Sequence, residues 1–141
     1  CPLIDPIIVD ACISKSNLFE YVSNNTPPEE SDFANGSDVE VFSTYLLKKT
    51  ANSFKSLSDK EHVTFPFWDG RMKINRHRIS KNKSDKKIRI TLDYENDLKV
   101  LRKILSHANN IYIKYDEIIS TYNSLDLYKL NGQFKYNSGW R

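Results

Sequence analysis

Hydrophobic positions change their spacing along this chain, and the sharpest change falls within Lys87–Leu105. Ile88, Ile90 and Leu92 alternate with Arg89 and Thr91, the period-two pattern of a half-buried strand. From Leu98 the spacing becomes helical, with Leu101, Ile104 or Leu105, and Ala108 on one face. Asp93 stands at the changeover, after the expected strand and just ahead of a helix expected over Asn96–His107. Ligands of open α/β sheets gather outside the carboxyl ends of strands, so a carboxylate there is a candidate for metal or phosphate chemistry. Asp is equally a good helix N-cap, and that plainer role stands beside the functional one.

Taken in order, Asp5-Pro6 predicts a helix start, because Asp caps well and Pro suits the first helical position. The helix over Pro6–Lys15 buries Ile7, Ile8, Ala11 and Cys12 on one face, which makes Cys12 a small core residue. Phe19–Ser23 predicts a strand, and Asn24–Gly36 a polar loop of a length that is more often functional than idle. Val39–Phe42 predicts a second strand, with Val39 and Val41 on one face and Glu40 and Phe42 on the other. Ser43 then caps a helix through about Phe54 that carries Leu46, Leu47, Ala51 and Phe54.

Ser58-Asp59-Lys60-Glu61 fits the S-x-x-E capping box and opens a short helix through His62 and Val63 that ends near Pro66. Met72–Ile79 alternates loosely as a strand, and Asn82–Lys86 forms a charged turn. Ile111-Tyr112-Ile113 is a short apolar segment. A last helix over about Tyr115–Asn123 has Asp116 and Glu117 in its first turn, where acids favour the helix dipole. Leu125–Arg141 carries no strong pattern, and no internal repeat is present. Helix, strand, strand, helix, short helix, strand, strand, helix, helix is the order of a mixed α/β layered fold.

The 141 residues suit a single domain over 1–141, and a hydrophobic fraction of 39% is enough to fold it. Cys1 and Cys12 are too few for a disulfide framework, and His62, His77 and His107 lack zinc-site spacing. No apolar run approaches the ~18 residues of a membrane span, and no signal-peptide pattern is present, so a soluble cytoplasmic setting is expected. A basic stretch of Arg71, Lys73, Arg76, Arg78, Lys81, Lys83, Lys86, Lys87 and Arg89 suggests a polyanion face. With a net charge of +3 and no nucleic-acid motif, a solvated surface is the simpler account, and no nucleic-acid partner is expected.

Four stretches, in this order and at these distances, resemble one family. They are Cys1-Pro2-Leu3-Ile4-Asp5-Pro6; Tyr21-Val22-Ser23-Asn24; Gly36-Ser37-Asp38-Val39-Glu40-Val41-Phe42-Ser43 with Glu61-His62-Val63-Thr64; and Thr91-Leu92-Asp93-Tyr94-Glu95-Asn96-Asp97-Leu98. The set resembles cytidylyltransferases of the spore-coat polysaccharide biosynthesis type, relatives of the CMP-KDO and CMP-sialic acid synthetases. It covers Cys1–Asn123.

The resemblance implies an α/β nucleotide-diphospho-sugar transferase fold, a three-layer α/β/α sandwich with a mixed sheet. It implies a reaction in which a hydroxyl of a sugar or sugar acid attacks the α-phosphate of CTP and pyrophosphate leaves, with Mg²⁺ neutralising charge. The product would feed surface polysaccharide or glycan synthesis; a homodimer is compatible with this reading, and no membrane partner is expected. Asp93 matches a metal-binding Asp of the family. Its companion would fall immediately before Cys1, and the Gly-rich phosphate loop further upstream. The expectation is therefore a C-terminal portion without its nucleotide-binding part, inactive alone. A non-catalytic remnant or partner subunit is the alternative.

Tyr94 and Glu95 depart from the family's Thr-Pro after this Asp, which keeps the capping role of Asp93 open. Asp38 and Glu40 flank the strand that borders the acceptor pocket in the family, and carboxylates read sugar hydroxyls well. Ser23 and Asn24 end the preceding strand and are candidates for the same pocket, though turn chemistry also suits Asn24. His62 is a candidate sugar contact, and Glu61 a candidate whose simplest role is the reciprocal capping-box acid.

Overall fold

Asp5 begins the fold by capping two helices at once. Its Oδ1 accepts from the Ile7 amide at 2.8 Å, starting α1 (Pro6–Lys15), and its Oδ2 accepts from the Tyr115 amide at 2.8 Å, starting α6 (Tyr115–Ser124). A single buried carboxylate thus satisfies orphan amides of two helices, one of them 110 residues away in sequence. The computed structural model describes residues 1–134 apart from residues 55, 109 and 111.

Between these helices run β1 (Tyr21–Ser23), β2 (Glu40–Phe42), α2 (Thr44–Thr50), α3 (Leu57–Glu61), α4 (Phe65–Trp68), β3 (Arg76–Arg78) and α5 (Glu95–His107), and α7 (Tyr128–Asn131) follows α6. The strands form a mixed sheet of order β2-β1-β3, antiparallel between β1 and β2 and parallel between β1 and β3. Alternation then divides the core. Val22 and Val41 turn to the face covered by Ile8 and Cys12 of α1 together with Val100, Leu101 and Ile104 of α5. Tyr21 and Phe42 turn to the opposite face, against Leu46 of α2 and Phe67 of α4.

Several elements differ from the sequence reading, each for a physical reason. Residues 88–92 make no strand. They pair only through one parallel bridge, Asn35 with Arg89, because the partner segment turns away at Gly36. The capping box of α3 is Ser56 with Asp59, not Ser58 with Glu61: Ser56 Oγ accepts from Asp59 N at 3.0 Å, and Asp59 Oδ2 accepts from Ser56 N at 3.1 Å. Arg71 fixes that choice by pairing with the buried Asp59 at 2.6 Å.

Pro66 opens α4 rather than closing a helix, as its lost amide costs nothing in a first turn. α2 stops at Thr50, whose hydroxyl turns back onto the Leu46 and Leu47 carbonyls, and a 3₁₀ turn over Ala51–Ser53 follows. On α5 the buried stripe is Asp97, Val100, Leu101 and Ile104, while Leu105 is 42% exposed. Ile113 is buried, and Ile111 lies outside the described residues. The unpatterned tail contains α7, whose Asn131 is fully buried.

Candidate functional site

The parallel strands β1 and β3 end side by side at Ser23 and Arg78, and antiparallel β2 begins there at Glu40. Register aligns the three: Ser23 faces Glu40 on one side and Arg78 on the other. A carboxylate, a hydroxyl and a guanidinium therefore form one row across the carboxyl edge of the sheet, where α/β folds place their ligands.

Behind this row lies a chain of short hydrogen bonds. Thr26 Oγ1 donates to Ser23 Oγ at 2.6 Å, Tyr21 OH and Thr26 Oγ1 are 2.6 Å apart, and Tyr21 OH donates to Glu40 Oε2 at 2.7 Å. Burial raises the Glu40 carboxyl above its usual range against the pull of hydrogen bonds from Thr64 and Tyr21, and the charge of Asp38 adds to the rise. Burial, and then the Glu40 charge, raise the Tyr21 phenol far above its ordinary value. Tyr21, Ser23 and Thr26 open onto a pocket of ≈ 200 Å³ rimmed by Glu30, Trp68, Arg76 and Arg78.

Asp38 sits at the same edge. It accepts from Asn25 Nδ2 at 2.6 Å and from the Gly36 amide at 3.0 Å, and Cys1 Sγ approaches it at 3.5 Å. Burial raises this carboxyl too, against those two hydrogen bonds. Gly36 has φ +98°, and a Cβ there would lie 2.4 Å from the Thr91 nitrogen. The loop carrying Asp38 therefore packs directly on the segment that leads to Asp93.

Asp93 does not cap α5. Asp97, three residues into the helix entry, reaches back with Oδ2 to the amides of Asp93 and Tyr94, both at 3.1 Å. The Asp93 carboxylate is left 61% exposed and is met by Arg89 at 2.7 Å. The sequence pattern does not single out Asp97, whereas it is the buried anchor of this corner. It also accepts from Arg89 and from Asn131 of α7. Tyr21 and Thr26 are likewise not candidates on sequence grounds, and Arg78 is one only as part of the basic stretch; the shared strand face of Tyr21 and Ser23 is the available signal.

The remaining candidates separate. Asn24 is fully buried, and its amide bridges the Ser37 carbonyl and the Val39 amide, both at 2.8 Å. Glu61 is exposed at the end of α3, and the ring of His62 stacks on Phe65 at 4.6 Å. Neighbouring Thr64 carries this segment onto Glu40. In the basic stretch, Arg71 pairs with Asp59 and Asp69, Arg78 with Asp32 at 3.0 Å, Lys81 with Asp85, and Arg89 with Asp93 and Asp97. Four of its nine cations are thus engaged locally, which weakens the case for a polyanion face.

Mg²⁺ commonly takes one or two carboxylates and completes its shell with water and phosphate. The exposed Asp93 carboxylate fits that modest demand, and Thr91 Oγ1, buried without a hydrogen-bond partner, is a further oxygen on the same segment. Among the described residues no three His, Cys, Asp or Glu side chains converge as a metal cage.

This mixed sheet, with polar side chains at its carboxyl edge, is similar in fold to a solved structure. That structure is a cytidylyltransferase from Leptospira borgpetersenii serovar Hardjo-bovis, to which this chain is similar at a TM-score of 0.81 and 23% identity over 96% of this chain. The chain spans 56% of that protein's length. No family model matches the chain, and no curated protein matches it. No helix among the described residues is long and apolar enough to cross a membrane.

Proposed function

We propose that these residues form the acceptor side of a Mg²⁺-dependent cytidylyltransferase that joins CMP from CTP to a sugar or sugar-acid hydroxyl and releases pyrophosphate. The observation that carries this reading is the fold shared with a cytidylyltransferase at a TM-score of 0.81. Ser23 and Glu40 are aligned across the sheet edge, and the Gly36 turn held by Asp38 packs on the segment that leads to Asp93, which is the order of polar groups this reading uses. Helices on both faces of the sheet support a three-layer α/β/α arrangement.

In this reading the Glu40–Ser23–Arg78 row binds the acceptor, while Asp38 orients the Gly36 turn against the Asp93 segment. Mg²⁺ bound at Asp93 would neutralise charge building on the phosphate oxygens. Arg89 stays anchored on Asp97 and holds the Asp93 carboxylate in place. The match covers 56% of the neighbour, so the complete reaction is proposed for the whole protein that carries these residues. Setting, partners and role extend from the same reading: a cytoplasmic enzyme supplying a CMP-sugar for surface polysaccharide or glycan synthesis.

The test is to incubate the complete protein with CTP, Mg²⁺ and a panel of sugars and sugar acids, and to look for a CMP-sugar by mass spectrometry. A CMP-sugar with stoichiometric pyrophosphate supports the proposal. No product with any acceptor contradicts it and favours a non-catalytic partner subunit.

A further inference from the structure

A hydroxyl that attacks phosphorus must lose its proton, and the sequence assigns no base to receive it. The buried hydrogen-bond chain behind the pocket offers one. Thr26 and Ser23 are among the residues that line the pocket, the Tyr21 phenol lies 2.6 Å from Thr26 Oγ1, and the Glu40 carboxylate accepts from Tyr21 at 2.7 Å. Thr26 Oγ1 lies 2.6 Å from both Ser23 Oγ and the Tyr21 oxygen, so turning its one proton from Ser23 to Tyr21 completes a line of donors that ends on Glu40.

We propose that Thr26, Tyr21 and Glu40 form a proton relay that deprotonates the acceptor hydroxyl. This rests on the cytidylyltransferase reading above. The acceptor O–H bond breaks as Thr26 Oγ1 takes its proton. The Thr26 hydroxyl, turned from Ser23 towards Tyr21, gives its own proton to the Tyr21 oxygen, and Tyr21 gives its proton to Glu40 Oε2. The freed electron pair bonds to the α-phosphorus, and pyrophosphate leaves with the electrons of the broken P–O bond. Glu40 ends protonated and returns its proton to water.

The position of Glu40 suits the terminus. It is only partly buried, so solvent can reset it. Three elements meet it: β1 presents Tyr21, the approach to α4 presents the non-titrating Thr64, and the start of its own strand presents Asp38. Arg78 stands two strands away in the same row, with Arg76 beside it on β3, and Arg78 is paired with Asp32. The raised carboxyl of Glu40 improves it as a proton acceptor.

The experiment compares wild type with Tyr21→Phe, Glu40→Gln and Thr26→Val in the complete protein, reading kcat, KM and the pH profile of CMP-sugar formation. Tyr21→Phe keeps the ring packing on Phe42 and Phe67 and removes only the relay oxygen. The expected result is a fall of about 10²- to 10⁴-fold in kcat for Tyr21→Phe and Glu40→Gln, the usual range for a lost general base. KM should change little, and the acid limb of the pH profile should vanish in Glu40→Gln. Wild-type turnover with kcat and profile intact in Tyr21→Phe overturns the relay alone. No turnover by the wild type overturns the parent reading and the relay with it.

Discussion

Arg89 holds Asp93 and Asp97 with one nitrogen, Nη2, at 2.7 Å and 2.8 Å. The two carboxylates differ sharply: Asp97 is fully buried, and Asp93 is mostly in water. Arg89 is therefore tethered from inside and presents its outer edge to Asp93. Asn131 closes the same knot by donating from Nδ2 to the Arg89 carbonyl at 3.0 Å and to Asp97 Oδ1 at 2.9 Å.

Asp97→Asn should be strongly destabilising. It leaves the buried Arg89 charge without its inner partner, a change that commonly costs about 3–5 kcal/mol. Burial works to raise the Asp97 carboxyl, but hydrogen bonds from Arg89, Asn131 and two backbone amides outweigh it, and the net shift is downward. The unfolded state then binds the proton more readily. The contribution of Asp97 is full above the ordinary Asp value of about 3.9 and is lost as pH falls through the lower folded value. Urea denaturation at several pH values checks both statements, and a variant as stable as wild type at pH 7 would contradict them.

Glu40→Gln should behave in the opposite sense. A carboxyl raised by burial favours folding as pH falls, because the folded state then binds the proton more tightly. Neutral Gln removes that dependence and retains an acceptor for Tyr21. Thermal melting at pH 7 should show Glu40→Gln at least as stable as wild type, with a flatter profile between pH 7 and 4. A melting temperature lowered by several degrees would show that the charge itself holds the edge together.

Gly36→Ala should disrupt the edge. The added methyl meets backbone at 2.4–2.8 Å, and φ is +98°. Left-handed strain of about 1–2 kcal/mol adds to overpacking of about 1–3 kcal/mol. A denaturation midpoint equal to wild type would mean that the 88–92 segment is free to shift.

Ser56→Ala and Ser58→Ala separate the two possible capping boxes. Loss of the Ser56 cap should cost about 1 kcal/mol, and loss of the Ser58 hydroxyl close to nothing. Equal effects in chemical denaturation would contradict the assignment of Ser56.

Local chemistry was the legible part of this chain. Asp5-Pro6 starts α1 and Ser43 caps α2 because each decision involves neighbours in sequence. The alternation of Val41 and Phe42 likewise assigned their faces. Long-range choices were not legible. Asp59 beats Glu61 in the capping box because Arg71, twelve residues on, neutralises it when buried. Residues 88–92 alternate like a strand, but their neighbour turns off at Gly36. Asp97 looks like a dipole residue until Arg89 and Asn131 close on it.

The candidate site divides in the same way. Glu40 and Ser23 were readable as strand-edge polar groups, yet their alignment with Arg78 depends on β3 pairing in parallel with β1. Asn24 carries the same polarity as its neighbours, and its two backbone bonds make it a brace between the strand ends.

The most direct test of the central claim is pyrophosphate release from CTP by the complete protein, titrated with Mg²⁺, for wild type and Asp93→Asn. The side chain is mostly exposed, so the variant should fold with wild-type stability to within about 1 kcal/mol. Wild type should turn over only with Mg²⁺, and Asp93→Asn should lose that metal-dependent turnover while keeping its fold. Equal turnover at every Mg²⁺ concentration would remove Asp93 from the metal site and contradict the account.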